Sequence, residues 1–460
     1  MTLLTQHFPS LQILLPFFGA LLIILTFQRI FIARLIAITC VFANFILSIY
    51  GFIIIDGGQV SYTFGGWKPW VGIEYQLTYF NQPIIIYLNF ILLFFLFFFN
   101  KLTEDTVTKF INDKRKSLFY SVLLFAHTGY LGMVSTNDFF NLYVFIEIAS
   151  LSSYVLMAQG NNPKALVGAF DYLIMGSIGA TFILIGIGFL LSFTGSLNML
   201  DATARIQGYY NSRIVVAGIS FFLIGAILKT SFFPLHFWMV RAYTGIAPII
   251  LTYLAGISTI IGIYIIFKFS RLVLNYDEIA TPLANFIRPI ALFTIFIAPY
   301  FAYKAKNLRT IIIYSSLTQI GYAFLLLAVK EGETILPTFL IADSFNKIAL
   351  FLMVACHEAY GKFIQEKISW RILVIISVIC STGLPISPLF MIKINIFDLL
   401  IRQNLWLDFI IILISSIGSL FYHYKIVKIL FWEQRSNASS IKTSSLRGDS
   451  IATTRQSRKN

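Results

Sequence analysis

Cysteine and charged residues are both scarce in this chain of 460 residues. The three cysteines, Cys40, Cys356 and Cys380, lie in apolar runs without the spacing of metal ligands, which argues against disulfides and a zinc site. Charged residues make up 12% of the chain, compared with about 25% in typical soluble domains, whereas 58% of the residues are apolar and 17% are aromatic. This composition excludes a soluble protein and indicates one that crosses a bilayer many times.

Apolar runs of about 18 residues or more recur along almost the whole length, so a single amino-terminal signal followed by a soluble body is ruled out. Compared with the roughly 20 residues that cross a bilayer, these runs predict an all-α membrane protein with about thirteen transmembrane helices. The predicted spans lie near residues 11–27, 31–54, 78–99, 117–135, 138–158, 165–192, 213–240, 246–268, 286–303, 309–329, 335–356, 370–402 and 408–432.

Two of the longest spans contain interior prolines: Pro234 lies within 213–240, and Pro385 and Pro388 lie within 370–402. Proline frees backbone groups, and these are tolerated at membrane depth only beside protein or a water-filled cavity. Both spans are therefore predicted to be broken helices that face a polar pathway.

Basic residues predict the orientation of the chain. No Lys or Arg precedes Arg29, and an amino terminus on the outside leaves most of the basic residues in inside loops. The outside loops then hold Lys68, Arg205, Arg213, Lys268, Arg271, Arg288, Lys330 and Arg402. An odd number of spans places the Ser- and Thr-rich tail, 433–460, inside, where it is expected to be disordered and either solvated or in contact with anionic lipid. This distribution of charge fits membrane orientation rather than nucleic-acid binding.

Glu147 is the clearest candidate functional residue, because an ionisable group near the bilayer centre is rare unless it is paired or functional. Helical spacing places Tyr143, Glu147, Ser150 and Tyr154 on one stripe. A carboxylate with hydroxyl neighbours suits a buried, hydrated position that holds or releases a proton. A structural ion pair is the alternative.

Lys229 lies five residues before Pro234, so that an ammonium and unpaired carbonyl groups can meet in one cavity. Burial and a nearby carboxylate act in opposite directions on the proton affinity of a lysine, so its charge state can change. The alternative is a lysine whose ammonium reaches the interface. His236 follows in the same broken span, either as a proton relay near neutral pH or as a packing residue.

The second half of the chain repeats this pattern, because Lys393 follows Pro385 and Pro388. Discontinuous helices at corresponding positions of internal repeats are typical of transporters. Between the two breaks, Asp343 and Lys347 are four residues apart and can pair on one helix. Further polar side chains on predicted helices are Asn346, Ser315, Gln319 and Tyr322.

These motifs resemble those of the antiporter-like membrane subunits shared by respiratory complex I and the Mrp-type multisubunit sodium/proton antiporters. The matching segments read "DFFNLYVFIEIASLSSY", "LKTSFFPLHFW", "APIILTYLAGIST", "NLRTIIIYSSLTQIGY" and "GLPISPLFMIK". The sequence around Glu147, with "TGSLNMLD" at 194–201, is most similar to the D-type component of Mrp antiporters, and the N-type component of complex I is a close second.

The resemblance implies two inverted five-helix repeats, at 117–268 and 286–432, each with a broken helix. Residues 1–110 would form preceding helices and a loop. By motif match, Glu147 would be the key glutamate, Lys229 its partner lysine on the first broken helix, and Lys393 the terminal lysine on the second.

The sequence departs from the family pattern at several positions. The usual lysine between the repeats falls on Ile260, and Val240 and Arg241 replace a Pro–Asp pair. Asp171 stands where relatives commonly have lysine, and Asp343 where they have histidine. By the count of spans above, the chain is also one helix short of the usual fourteen. These departures leave open a transporter with a rewired path, a subunit that seals and scaffolds its complex, and a degenerating copy.

We expect a proton- and cation-translocating subunit of a Mrp-type antiporter in the bacterial inner membrane, without chemistry of its own. Its partners would be other membrane subunits, protons, Na⁺ or K⁺, and the bilayer. A driving force that separates Glu147 from Lys229 would pass a proton towards Lys347 and Lys393. The alternatives are a proton-pumping subunit of NADH-quinone oxidoreductase and a non-transporting structural subunit. A membrane-embedded transferase is not favoured, because it would need acidic or His-bearing interfacial loops and the outside loops are short and chemically sparse. No nucleotide, flavin, haem or metal signature is visible, so no cofactor is expected.

Overall fold

The computed structural model describes residues 3–26, 29–98, 116–159, 163–273, 280–360, 368–385 and 387–433. Ten helices in these ranges are long and apolar enough to cross a membrane, and Gln82–Phe97 forms a shorter apolar helix. Large apolar side chains such as Leu25, Phe31 and Tyr424 are exposed on outer helix faces, as expected where lipid is the solvent. The chain is a mostly helical, multi-pass membrane protein.

The amino-terminal part contains three helices and a short hairpin. Their bounds are α1 Leu3–Leu25, α2 Ile30–Ile55, β1 Gln59–Thr63, β2 Glu74–Thr78 and α3 Gln82–Phe98, with a 3-10 turn at Phe64–Gly66. The strands pair antiparallel, with Gln59 opposite Thr78, and Tyr75 forms an isolated bridge to Thr136. The all-α prediction did not include this hairpin, because two five-residue strands between long apolar runs look like a polar loop.

Seven helices lie in the described ranges 116–159 and 163–273. They are α4 Lys116–Ser135, α5 Phe139–Ala158, α6 Pro163–Thr194, α7 Met199–Ile206, α8 Arg213–Lys229, α9 Phe237–Gly245 and α10 Pro248–Val273. Side-chain caps fix the starts of two of them. Asp138 accepts a hydrogen bond from the backbone N of Asn141 at 2.7 Å, and Asn198 accepts one from the backbone N of Asp201 at 3.2 Å. Asp138 and Asn198 also form an isolated β-bridge, so both caps lie together near the hairpin.

The described residues between 280 and 428 form six further helices. They are α11 Ala280–Lys304, α12 Leu308–Ala328, α13 Gly332–Tyr360, α14 Ile368–Thr382, α15 Pro388–Arg402 and α16 Trp406–Lys428, with a π-helical turn at Ile429–Glu433. The predicted tail, 433–460, lies outside the described residues except for Glu433, and so do the loop charges between 101 and 115.

Both predicted helix breaks are present. At the first break, α8 ends at Lys229 and α9 begins at Phe237. Between them, Ser231 lies in the left-handed region at φ 58°. The second break separates α14 from α15, where Gly383 has φ 69°. Ser387 then caps α15 by accepting from the backbone N of Phe390 at 3.2 Å.

Glycines bring α6 and α8 into close contact, which places Lys229. A Cβ on Gly186 would lie 2.6 Å from the backbone N of Phe222, and a Cβ on Gly225 would lie 2.4 Å from the carbonyl oxygen of Gly179. No larger residue fits these positions without separating the helices, which is how small residues act at interfaces between membrane helices.

The helix α10 lies between the two halves of the chain. On one side a Cβ on Gly262 would lie 2.7 Å from a methyl carbon of Thr230, at the first break. On the other side a Cβ on Gly256 would lie 2.4 Å from Ile348 on α13. Side chains on α10 can therefore contact both halves.

Candidate functional site

Lys229 is the last residue of α8, where the first broken helix stops. Its Nζ donates a hydrogen bond to the Oγ of Ser150 on α5 at 2.9 Å. Carbonyl groups at the carboxyl end of a helix carry partial negative charge, which favours an ammonium there. The indole Nε1 of Trp238 on α9 donates to the carbonyl oxygen of Leu228 at 3.2 Å and so satisfies one of the freed groups. The break thus gives the lysine a polar setting inside the protein.

Glu147 lies almost one turn before Ser150 on α5 and is half-buried. Its carboxylate interacts electrostatically with Lys229 and with the nearby hydroxyl groups of Tyr143 and Tyr154. Among the described residues no Lys or Arg forms an ion pair with it. The two charges therefore act on each other without contact, and the ammonium is bonded to Ser150 rather than to the carboxylate.

A cavity of about 50 Å³ adjoins Lys229 and is called the lysine cavity below. Its lining includes Tyr130, Ser150, Ser153 and Ser258 among apolar side chains. The hydroxyl groups of Tyr130 and Ser153 are 3.1 Å apart. One water needs roughly 10–15 Å³ and two or more polar partners, so this cavity has the room and the hydroxyl groups for internal water.

A larger cavity of about 400 Å³, the vestibule, lies at the amino-terminal end of α10 between the two halves of the chain. Thr244, Arg309 and Glu358 are part of its lining, and Arg309 and Glu358 form an ion pair. The neighbouring Tyr243 has its hydroxyl 3.3 Å from the Oγ of Ser258, which lines the lysine cavity. Tyr243, which precedes Thr244 of the vestibule lining, thus contacts the lysine cavity through Ser258.

Lys347 and Asp343 form the ion pair that their spacing predicts. The Nζ of Lys347 lies 2.6 Å from the Oδ2 of Asp343, and each side chain is 2% exposed. The same Nζ donates to the Oγ1 of Thr259 on α10 at 3.3 Å. Thr259 follows Ser258 of the lysine cavity and precedes Ile260, which is buried. The central helix therefore offers a hydroxyl group to each half, with the apolar side chain of Ile260 directly after them.

Lys393 on α15 has a setting similar to that of Lys229. Its Nζ donates to the carbonyl oxygen of Thr382, the last residue of α14, at 3.1 Å, and lies 5.8 Å from the ring centre of Tyr322. His423 on α16 is buried nearby, with Nε2 2.6 Å from the Oγ of Ser381. Sequence reasoning missed this histidine, since it follows a long apolar stretch of the last span.

His236 and Gln319 are buried but do not line the lysine cavity. The ring of His236 packs against those of Phe301 and Tyr314 in the second half of the chain. Its Nδ1 and the Oε1 of Gln319 have no hydrogen-bond partner among the described residues. The structure therefore places His236 at the interface between the halves.

A second group of polar residues, which the sequence analysis did not select, lies under the hairpin. Glu74 is 5% exposed, and its Oε2 accepts hydrogen bonds from the side-chain amides of Asn137 at 2.8 Å and Asn198 at 2.7 Å. Lys268 donates to the carbonyl oxygen of Thr136 and interacts electrostatically with Glu74. These residues, Glu74, Asn137, Asn198 and Lys268, are called the hairpin cluster below. Lys268 looked like an outside loop charge, but α10 continues past it to Val273.

His127 on α4 was also missed. Its Nε2 lies 2.9 Å from the Oδ1 of Asn89, and its Nδ1 lies 3.4 Å from the hydroxyl of Tyr253. Asn44 on α2 donates to the same Oδ1 at 3.0 Å. This network ties the amino-terminal helices to α10.

Two of the departures from the family pattern contact each other. The Nη1 of Arg241 lies 3.8 Å from the Oδ2 of Asp171 on α6. Asp171 and Arg241 therefore form an ion pair in this chain.

Comparison with known proteins agrees with this arrangement. Residues 136–421 match a family described as "NADH:quinone oxidoreductase/Mrp antiporter, TM". The N-type component of the NADH-quinone oxidoreductase of Desulforudis audaxviator is 31% identical over 332 residues, which cover 71% of this chain and 64% of that protein. The D-type component of the Na(+)/H(+) antiporter of Bacillus subtilis is 26% identical over 441 residues, which cover 93% of this chain and 87% of that protein.

Solved structures share the fold. A chain of the membrane-bound sulfane sulfur reductase, an archaeal respiratory membrane complex, has a TM-score of 0.83 at 22% identity, covering 93% of this chain and 88% of that chain. A chain of the Mrp complex from Dietzia sp. DQ12-45-1b has a TM-score of 0.80 at 20% identity, covering 94% and 80%. The family match spans more than half of the sequence and includes Glu147, Lys229 and Lys393. The chain belongs to the NADH:quinone oxidoreductase/Mrp antiporter transmembrane family.

Proposed function

We propose that this chain is the proton- and cation-translocating membrane subunit of a multisubunit Mrp-type monovalent cation/proton antiporter. The observation that carries the proposal is the Lys229 ammonium, bonded to Ser150 beside a water-sized cavity, with Glu147 acting on it from the same helix as Ser150. Placing such groups inside a bilayer costs several kcal/mol. A transport role gives a reason for keeping them.

In the proposed mechanism, protons enter from the vestibule past Tyr243 and Ser258. The negative charge of Glu147 holds a proton on Lys229, and neutralising or displacing that carboxylate lets the lysine release the proton. A membrane potential does work of about 2.3 kcal/mol per charge per 100 mV. This is comparable with the roughly 1.36 kcal/mol that changes a proton-binding constant tenfold, so a potential of this size is large enough to change the protonation of Lys229.

In the second half of the chain we assign Lys347 and Lys393 as further proton-carrying groups. Asp343 would act on Lys347 as Glu147 acts on Lys229, although here the two charges are in direct contact. Tyr143, Gln319 and His236 are supporting candidates, and His236 is placed to respond to motion between the two halves.

The helix pattern supports thirteen membrane crossings. Ten long helices, the shorter α3 and the broken pairs α8–α9 and α14–α15 add up to that number. Five crossings fall within 117–268 and five within 286–432, and the broken pair is the fourth in each set. An odd number of crossings inverts the second set relative to the first, so we propose two inverted repeats after an amino-terminal region, 1–110.

We place the protein in a bacterial inner membrane, with its amino terminus outside and its tail inside, from the distribution of basic residues. With thirteen crossings, the hairpin then lies outside and the vestibule inside. The amino-terminal end of α10, at the vestibule, is then inside, and its carboxyl end, at the hairpin, is outside.

Membership of an Mrp antiporter is favoured over complex I by coverage. The D-type antiporter component matches over 93% of this chain and 87% of its own length, whereas the N-type oxidoreductase component matches over 64% of its own length. Other membrane subunits would be partners in either case. Genes for small Mrp-type subunits beside this one would support the antiporter, and genes for redox subunits would support complex I.

A non-transporting scaffold is the second candidate, favoured by Ile260 in place of the usual lysine. The charge-reversed pair of Asp171 and Arg241 argues against a degenerating copy, because unselected changes would not be expected to restore an ion pair.

The test compares Glu147→Gln and Lys229→Met with the loop controls Glu331→Gln and Lys330→Met, in vesicles that contain the assembled complex. We expect cation-driven proton exchange to fall to background in the first pair and to be unchanged in the controls, with normal assembly in all four. Exchange at the unaltered rate in both Glu147→Gln and Lys229→Met would leave only the scaffold.

A further inference from the structure

The hairpin cluster has the composition of a proton-transfer site, although the resemblance to the family assigns no role to it. It joins a lysine and a glutamate in a nearly closed setting at the hairpin end of α10. The Nζ of Lys268 donates to the carbonyl oxygen of Thr136, and the next residue, Asn137, donates from its side chain to Glu74. The two charged groups therefore contact adjacent residues of one short segment.

Lys268 also lines a small cavity. Its volume of about 10 Å³ is near the minimum for one water, and its other lining residues, among them Phe139 and Ile265, are apolar. Ile265 also lines the lysine cavity, where Lys229 lies. One isoleucine side chain thus contributes to both cavities and stands between the two lysines along α10.

The apolar residue between the repeats, Ile260, limits where a proton on Lys229 can go. A proton on Lys229 that moves towards the second half must pass Ile260, which is buried and carries no proton. Lys268 lies on the same helix two turns further on, at the hairpin end. Ile265 is the residue that lines both the lysine cavity and the small apolar cavity beside Lys268.

We propose that the first repeat has its own proton outlet, which runs from the lysine cavity past Ile265 to Lys268 and Glu74 at the hairpin. This outlet rests on the proposed function and names where its protons leave the first repeat. Motion of the Ile265 side chain would join the two cavities through water.

The transfer balances as follows. Lys268 first gives a proton to Glu74 or to water at the hairpin and becomes a neutral amine, while Glu74 in turn releases its proton to the outside water. A proton from the Lys229 ammonium then crosses through water to Lys268, which leaves a neutral amine at Lys229. The vestibule supplies the next proton to Lys229, so each cycle moves one proton and restores both lysines.

A purely structural role is the competing explanation, because Lys268 caps the end of α4 and Glu74 holds two asparagines. The experiment therefore needs variants that keep these contacts. Glu74→Gln retains an amide oxygen that can accept from Asn137 and Asn198. Ile265→Phe changes only the apolar barrier, and Ile260→Phe is its matched control on the same buried helix.

Proton exchange would be measured in vesicles with the assembled complex, for Lys268→Met, Glu74→Gln and Ile265→Phe. Arg271→Gln removes a neighbouring charge, one that pairs with Glu333, and serves as the control for charge. We expect each of the three variants to lower the exchange rate about tenfold or more, which corresponds to roughly 1.4 kcal/mol. Arg271→Gln and Ile260→Phe should stay within about twofold of the unaltered complex.

The outcomes separate this inference from the proposed function. If Glu147→Gln and Lys229→Met stop exchange while Glu74→Gln and Ile265→Phe leave it unchanged, the outlet is wrong and the proposed function stands. A stronger loss in Ile260→Phe than in Ile265→Phe would place the route through the centre and overturn the outlet. If Lys268→Met fails to assemble, the other two variants decide.

Discussion

Lys229 and Lys393 share a setting that explains how each is tolerated inside the membrane. Each lies beside the carboxyl end of the first half of a broken helix: Lys229 is the final residue of α8, and Lys393 donates to the carbonyl oxygen of Thr382 at the end of α14. Such ends expose carbonyl groups with partial negative charge. The second break thus provides Lys393 with a carbonyl acceptor, whereas the first places Lys229 at a helix end, where it donates to Ser150 on α5.

Ser150 holds the Lys229 ammonium, so its hydroxyl should affect exchange. We expect Ser150→Ala to lower the exchange rate by about three- to tenfold, since a hydrogen bond to a charged group contributes roughly 1.5 kcal/mol or more and internal water replaces part of it. Ser152→Ala, on a different face of α5, is the matched control and should exchange normally. Equal rates in both variants would show that the bond to Ser150 has no part in transport.

The reversed ion pair predicts a rescue. Asp171→Lys or Arg241→Asp alone places like charges together, whereas the double variant restores opposite charges in the arrangement of relatives. Because the Arg241 side chain is 75% exposed, we expect each single change to lower stability by no more than about 1 kcal/mol. Thermal denaturation of the purified complex would measure the loss and its recovery in the double variant. Additive losses would mean that the two residues do not interact.

Single residues differed in how far the sequence predicted their contacts. The pairing of Asp343 with Lys347 follows from one turn of helix, and the structure has it. The approach of Lys229 to Ser150 required two helices to pack at one particular angle, which spacing along the chain does not encode. His236 shared a span with Lys229, but the break turns its ring towards Phe301 and Tyr314 instead.

At the scale of helices, the contact between α6 and α8 decides where Lys229 lies. Gly186→Leu should force the helices apart, since its Cβ would already be 2.6 Å from a backbone nitrogen. We expect a loss of about 1–3 kcal/mol in stability, as for other overpacked sites, together with slower exchange. Gly188→Leu is the control, because a Cβ there meets nothing within 4 Å. Thermal denaturation and exchange would be measured together, and similar behaviour of the two variants would contradict the packing argument.

Helix breaks were predictable, whereas the hairpin and the full length of α10 were not. The breaks are predicted by three prolines, Pro234, Pro385 and Pro388, because proline removes a backbone hydrogen-bond donor. The hairpin depends on pairing between strands and on a bridge from Tyr75 to Thr136, which is far away in sequence. The sequence pattern places Lys268 in a loop, because a charge usually ends an apolar run. Here the helix continues, since Thr136 supplies an acceptor.

At the scale of the whole molecule, an ion pair joins α11 and α16, the first and last helices of the second half of the chain. Arg288 on α11 contacts both carboxylate oxygens of Asp408 on α16, at 2.6 and 2.8 Å, and Asp408 is buried. Asp408→Asn should lower stability by up to about 3 kcal/mol, because removing one partner leaves a charge uncompensated. The exposed pair of Asp398 and Arg402 offers Asp398→Asn as a control with little effect. Equal melting temperatures in the two variants would show that the closure does not stabilise the fold.

Among the described residues, polar groups lie on both sides of α10. Tyr243 and Ser258 lie on the side of the lysine cavity, whereas Lys347 contacts the helix from the other side through Thr259. The sequence analysis selected Lys229 and Lys347 but not Tyr243, Ser258 or Thr259. It did not predict how they connect, because Ile260 removes the usual link and the connection depends on packing around α10.

The most direct test of the account is whether Lys229 must change its charge. Lys229→Arg keeps a positive charge beside Ser150 and Glu147, but an arginine does not lose its proton in proteins. We predict a complex that assembles normally and whose cation-driven proton exchange in vesicles falls to background. Exchange at the unaltered rate would contradict the claim that Lys229 carries the transported proton.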